Sequence, residues 1–249
     1  MTAKDGWTPL KFEHKRVACQ NQEDFNEMMT VLELAKEARE GRFGLIYGTA
    51  GRGKSRTTAA WAANNGSVHL LMLPIWATSE LGFLQALCRE LGLKAIPLTK
   101  NDCFAKAMDL LVAQPRPVFL DEMDLCPRHL NLVRVLAELS GATFVLIGEN
   151  ELPALMSQNK RVWSRVFQVL HFEPAAPRDI IVYGRETADL EVEAAAAAEL
   201  NRSVGGEDWR VIKRTMIDVV GLCNAARTRT VTVETMRKAI KMGFQGVKK

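Results

Sequence analysis

The sequence predicts an α/β fold: a parallel sheet flanked by helices, followed by a small all-helical C-terminal domain. Three observations carry this expectation. Five short apolar runs, beginning at Phe43, Val68, Val118, Ala142 and Val166, alternate with stretches whose apolar residues recur at helical spacing. The first run leads into Gly48-Thr49-Ala50-Gly51-Arg52-Gly53-Lys54-Ser55, a complete G-x-x-x-x-G-K-[ST] between a strand and a helix. After Pro177 the pattern is helical alone.

Residues 1–17 carry few structural signals, and 11–16 are polar and mostly basic. Phe25, Met28, Met29, Leu32 and Ala35 predict a helix over 22–39, with Gly41 as its stop. The strand 43–47 then delivers the glycine-rich loop, and a helix runs over 54–63. Glycines let such a loop wrap a triphosphate with successive N–H groups turned inward, and the helix points its positive dipole end at the same oxygens. Lys54 is expected to neutralise the β- and γ-oxygens, and the Ser55 hydroxyl to ligate Mg²⁺. The loop therefore predicts nucleoside triphosphate binding by residues Gly48 to Ser55, with Arg56 beside them.

A second buried strand is expected over 68–73, ended by Pro74, then helices over 81–91 and 102–113. The strand 118–122 ends in Asp121-Glu122. If it runs parallel to the first, these carboxylates stand beside the loop, Asp121 to hold Mg²⁺ through water and Glu122 to polarise the attacking water. A helix over 130–139 and a strand over 142–147 follow, ending in Gly148-Glu149-Asn150. A polar side chain there would lie between the two motifs and orient the water; Asn150 is the choice, with Glu149 a close rival. Arg161 and Arg165 fall on a short helix before the last strand, 166–172, where an arginine could project into a neighbouring subunit's γ-phosphate; Arg165 is preferred over Arg161.

Residues 173–177 read as a hinge. Helices are expected over 178–188 and 191–202, the latter ended by Gly205-Gly206. Another opens at Asp208-Trp209-Arg210, and Thr232 caps the last. Arg210, at a helix start, could swing onto the phosphates from a lid. The expected division is an N-terminal extension over 1–20, a core over 21–174 and a helical lid domain over 175–249.

Composition narrows the function classes. The five cysteines form no C-x-x-C pair and no metal-ligand spacing with the four histidines, so they read as small buried side chains in a reducing compartment. The first ten residues are no signal peptide, and no apolar stretch approaches the length of a membrane helix, which together predict a cytoplasmic protein with no membrane partner. The net charge of +4 is uneven: from Arg210 onward ten Lys/Arg face two acids, whereas the preceding residues hold 23 Lys/Arg and 27 acids. A basic C-terminal quarter suits nucleic-acid contact and equally suits a solvated helical face.

Taken with these motifs, the chain resembles the AAA+ ATPases almost end to end. Gly48 to Ser55 stands as Walker A, Val118 to Glu122 as Walker B, and Asn150 near sensor 1. Arg161-x-x-Ser164-Arg165 resembles the arginine-finger segment of initiator-type members, and Gly206-x-x-x-Arg210 the sensor-2 helix. Within that group it is most similar to the transposition ATPases, the phage Mu-type transposition protein B and related target-selection ATPases. Carrying features are Gly44-Leu45-Ile46-Tyr47-Gly48, Leu87-Cys88-Arg89-Glu90-Leu91-Gly92, Leu120-Asp121-Glu122-Met123-Asp124 and Leu146-Ile147-Gly148-Glu149-Asn150-Glu151-Leu152. The chain departs at Arg52, often a small residue, and at Glu149, often Asn in relatives of this type.

The resemblance implies ATP- and Mg²⁺-driven assembly of head-to-tail homo-oligomers, as a filament or ring, on double-stranded DNA, and stimulation of a transposase in a bacterial host, encoded by a phage or an integrated element. Lys94, Lys100, Arg128 and Arg134 are the candidate DNA contacts. Three other readings stand beside it. One is a helicase loader or initiator-like ATPase; another is a phosphotransferase acting on a small metabolite; the third is a switch that binds ATP and scarcely hydrolyses it.

Overall fold

Strands that are apolar on both faces need cover on both faces, and the burial pattern shows it. The computed structural model describes residues 7–15, 17–37, 42–204 and 208–245. The expected helix end at Arg39 and Gly41, and Gly205-Gly206, lie outside the described residues. The chain divides into two compact units, Asp24–Thr49 with Gly53–Phe172, and Met1–Glu23 with Ala50–Arg52 and Glu173–Lys249.

In chain order the elements are α1 (Gln20–Glu37), β1 (Phe43–Tyr47), α2 (Lys54–Asn64), β2 (Val68–Leu71), α3 (Glu80–Glu90), α4 (Lys100–Ala113), β3 (Val118–Asp121), α5 (Leu130–Ser140), β4 (Phe144–Gly148), α6 (Leu152–Gln158), α7 (Lys160–Trp163) and β5 (Val166–His171). The five strands form one sheet in the order β2-β3-β4-β1-β5, every neighbouring pair parallel. Successive residues separate cleanly. Phe43, Leu45, Val118, Leu120, Phe144 and Leu146 join one buried cluster with α3, α4 and α5, while Ile46, Phe119, Val145 and Ile147 join another with α1 residues Phe25, Met28, Met29 and Leu32. Phe119 is fully buried, with ring centroids 5.5 Å from Trp61, 6.1 Å from Phe25 and 6.2 Å from His69. Phe119→Ala is therefore expected to cost about 3–5 kcal/mol, read as a lowered midpoint in denaturant unfolding.

Departures from the expected boundaries have local causes. α3 and α4 begin before their apolar stripes because Ser79 and Thr99 cap them, each hydroxyl accepting a backbone N–H three residues on (3.0 and 3.2 Å). β2 is two residues shorter than expected and gives way to a 3-10 turn, Pro74–Trp76. β3 stops at Asp121 because Glu122 takes a left-handed conformation (φ 58°, ψ 40°), which turns the chain off the strand. α6 was not expected: its buried anchors are only Leu152 and Met156, one helical turn apart, too few to read as a period.

The second unit holds α8 (Pro177–Ala188), β6 (Glu191–Val192), α9 (Ala194–Val204), α10 (Trp209–Ala226), β7 (Thr230–Val231) and α11 (Val233–Gln245). The helix expected from 191 starts at Ala194 instead, since Glu191 and Val192 pair in parallel with Thr230 and Val231. The helical C-terminal region thus carries one short two-stranded ladder. Ile180, Leu200, Ile212, Met216, Val219 and Met236 are among its core residues, and Leu10 is buried with them. The Asn224 amide brackets Leu10, accepting its N–H (2.7 Å) and donating to its carbonyl (3.0 Å).

Candidate nucleotide-binding and hydrolysis site

β4 lies between β1 and β3 in the sheet, so the segments leaving the carboxyl ends of β1, β4 and β3 stand side by side. In open parallel sheets this edge, where strand order reverses, is where ligands bind. The loop after β1 shows why glycine is needed at its start. Gly48 has φ +146°, and a Cβ there would lie 2.8 Å from the Phe172 carbonyl oxygen. Lys54, the first residue of α2, is buried, and its ammonium donates to the Gly48 and Thr49 carbonyls, the latter at 3.1 Å. The loop is thus closed around its own lysine. Ser55 and Arg56, in the first turn of α2, are both exposed.

At the end of β3, Asp121 is 2% exposed and its Oδ1 accepts the Glu122 N–H at 3.0 Å. Its Oδ2 is buried and makes no hydrogen bond among the described residues. A buried carboxylate oxygen left without a donor is costly in a protein interior, and a hydrated cation would satisfy it. The residues present therefore fit Mg²⁺ held by one carboxylate, one hydroxyl and phosphate oxygens, which is how this ion is usually bound. Among the described residues no cluster of three or more His, Cys, Asp or Glu forms a metal cage. Glu122 projects beside it, exposed. Desolvation, then the negative charges of Asp121, Asp124 and Glu149, raise its carboxyl pKa above the ordinary value, with Lys54 opposing them.

After β4 the two rivals separate. The Glu149 backbone N–H donates to Asp124 Oδ1 at 3.3 Å, whereas the Asn150 amide donates to Thr49 Oγ1 at 3.2 Å, reaching the phosphate loop itself. Two participants were missed in the sequence. Asp124 anchors the end of β4. His69 on β2 places Nε2 3.0 Å from Thr58 Oγ1 and 3.9 Å from Asp121 Oδ2. Thr58 directs its own hydroxyl proton to the Lys54 and Ser55 carbonyls, so the His69 Nε2–H is the donor between them. Burial lowers the His69 pKa, against the raising effect of Asp121 and Glu90, and keeps the ring neutral. The signal available was a lone histidine within an apolar strand, whose register sets Leu71 beside Asp121.

Residues 37–156 match the family model described as an AAA domain. The chain is also similar to three solved structures. Aeropyrum pernix ORC2 in ADPNP–ADP complexes is 16% identical with a TM-score of 0.66, over 95% of this chain and 72% of that one. Aeropyrum pernix ORC1 in complex with DNA is 15% identical with a TM-score of 0.60, over 92% and 66%. The Thermotoga maritima RuvB Holliday junction branch migration motor is 17% identical with a TM-score of 0.54, over 91% and 70%. The fold is that of an AAA+ P-loop NTPase. No protein of curated function matches the chain.

On this AAA+ core the two finger candidates sit differently. Arg165, just past α7, is ion-paired to Glu138 and donates to the Arg161 carbonyl and the Ser164 hydroxyl. Glu138 also holds Arg134 at 2.5 Å; burial works against its ionisation, but the two arginines outweigh it and its pKa is lowered. Arg161 instead presents its side chain to an open cleft with Arg128 and Lys160. In the second unit, Arg210 is held by Asp208 (Nε–Oδ1 3.0 Å), which also caps α10 by accepting the Arg210 N–H at 2.8 Å. Within the same unit the Trp209 N–H donates to the Gly51 carbonyl at 3.0 Å.

Of the four candidate DNA contacts, Lys100 is paired with Glu80 at 2.8 Å and Arg134 with Glu138, while Lys94 and Arg128 are exposed. Part of the basic C-terminal quarter is internally matched: Arg229 with Asp189, Arg237 with Glu199 and Lys238 with Glu234. No helix among the described residues is long and apolar enough to cross a membrane.

Proposed function

We propose that the chain is an ATPase that binds double-stranded DNA without sequence preference, assembles head-to-tail in its ATP state, and acts in bacterial DNA transposition as a target-selection factor and transposase activator. The observation that carries the enzymatic part is the meeting of three strand ends: Lys54 and Ser55 after β1, Asn150 after β4, Asp121 and Glu122 at β3. Lys54 and the first turn of α2 hold the β- and γ-phosphates. Ser55 and Asp121 hold Mg²⁺, which when bound neutralises charge on the phosphate oxygens. Asn150 orients a water, and Glu122 accepts its proton as it attacks. Arg210 of the lid approaches the phosphates once it leaves Asp208.

Arg161 of a second copy, rather than Arg165, is the better-placed arginine finger, because Arg165 is already neutralised by Glu138. A contact between nucleotide face and finger face is heterologous and need not close, so open helical filaments follow. Loss of the γ-phosphate removes the finger's partner, loosens the contact and releases DNA. The transposition role rests on the resemblance of the motifs and of Leu146 to Leu152 to the Mu-type ATPases. A second reading, an initiator-like or helicase-loading ATPase, is favoured by the likeness to ORC2 and to the DNA-bound ORC1.

The test is duplex binding by fluorescence anisotropy with ATP, ADP or no nucleotide, with electron micrographs of the same samples. ATP-dependent filaments on duplex DNA support the first reading. Binding confined to single strands or to a replicative helicase supports the second. No duplex binding in any nucleotide state would sink the first reading, and binding of neither DNA nor a helicase would sink both.

A further inference from the structure

Outside the nucleotide site, the first unit has a cleft of about 640 Å³ between the start of α5 and the α6–α7 connection. Three cations line it, Arg128, Lys160 and Arg161, together with the amides of Asn131, Gln158 and Asn159. No carboxylate does. All three cations are exposed, and unlike Lys100 and Arg134 none is ion-paired among the described residues. Elsewhere on this chain arginines and lysines are repeatedly matched to a nearby acid, as in Arg134–Glu138, Arg202–Glu199 and Lys238–Glu234. The Asn159 amide is spent on Asn131 Oδ1 (3.1 Å) and on capping α7, but three unmatched cations lining one cleft without a carboxylate form a receptor for oxyanions.

The rest of the lining decides which phosphate compound fits. Its apolar part is aliphatic and contains no aromatic ring. Single strands are held by bases stacked on aromatic side chains, and no such ring is provided here. A ligand recognised through phosphate alone, with its bases held elsewhere, is a duplex backbone.

We propose that Arg128 and Lys160 of this cleft seat the phosphate backbone of duplex DNA, while Arg161 stays with the nucleotide of the neighbouring copy. This rests on the duplex-binding reading above and assigns it a place. Lys160 and the cleft's amides were not candidates in the sequence, whereas Arg128 was; Lys100 and Arg134 do not line this cleft.

The experiment measures duplex affinity of the full chain, saturated with ATP, across a salt series, for wild type and for Arg128→Gln/Lys160→Gln. Each phosphate contact contributes a slope of roughly 0.9 in log K against log salt. The double variant is expected to flatten the slope by about 2, equally for unrelated sequences. Arg128→Lys/Lys160→Arg should restore most of it. Binding of a fluorescent ATP analogue and the melting temperature should stay at wild-type values, which separates lost contacts from lost folding.

A wild type that binds duplex while the double variant keeps its slope overturns the cleft alone and leaves the proposed function standing. A wild type that binds no duplex removes both. Loss of ATP-dependent self-assembly with the DNA slope unchanged also overturns the proposal, and assigns the cleft to a second copy of the chain. Tighter binding of single strands, lost in the same variant, overturns the duplex assignment.

Discussion

Lys54→Ala is expected to weaken ATP binding by roughly 10- to 100-fold, read by titrating a fluorescent ATP analogue. The ammonium sits buried at the first residue of α2 and already donates to two loop carbonyls, Gly48 and Thr49. An arriving triphosphate exchanges those neutral acceptors for charged ones. Hydrogen bonds to charged groups contribute about 1.5–3 kcal/mol each, which sets the range. Alanine also leaves the Gly48 carbonyl without this donor, so the thermal midpoint must be compared with wild type before the affinity loss is assigned to phosphate. Affinity within twofold of wild type, with the fold intact, would rule out Lys54 as a phosphate ligand.

Glu122→Gln should separate binding from hydrolysis. The amide keeps the size of the carboxylate and cannot accept a proton, so turnover should fall by about 10²- to 10⁴-fold while ATP affinity stays near wild type. The pH profile carries a second readout. Because desolvation, then the charges of Asp121, Asp124 and Glu149, raise the Glu122 pKa, its basic form is lost at a higher pH than for an ordinary glutamate as the solution is acidified. Wild-type turnover should therefore decline through that raised value as pH falls, and residual turnover of the Gln variant should lack this limb. A variant retaining more than a tenth of wild-type turnover would move the base to another residue, with Glu149 the first to test.

What the sequence by itself determined is whatever a contiguous stretch can encode. The Walker-type loop is legible because strand, glycines, lysine and helix follow one another within a dozen residues, and each does a local backbone or charge task. The strands are legible because apolar runs of four to six residues bounded by turn formers have few other uses. Asp121 and Glu122 are legible for the same reason, at the end of such a run.

The remaining assignments depended on residues far apart in the chain. Only the fold brings the Asn150 amide to the Thr49 hydroxyl, 101 residues away, and the Glu149 backbone N–H to Asp124. Glu138 on α5 pairs with Arg165, a partner that the short stretch around Arg161 and Arg165 does not announce. His69 read as an ordinary strand residue, and only β2 pairing with β3 brings it to Asp121. The N-terminal segment carries few signals, yet Leu10 is buried in the helical unit, where Asn224, 214 residues on, satisfies its backbone. Motifs encode which atoms a phosphate will meet. Long-range packing decides which of several equivalent charges remains unmatched and so able to meet anything else, because an ion pair formed within the fold lowers the free energy available to an incoming partner.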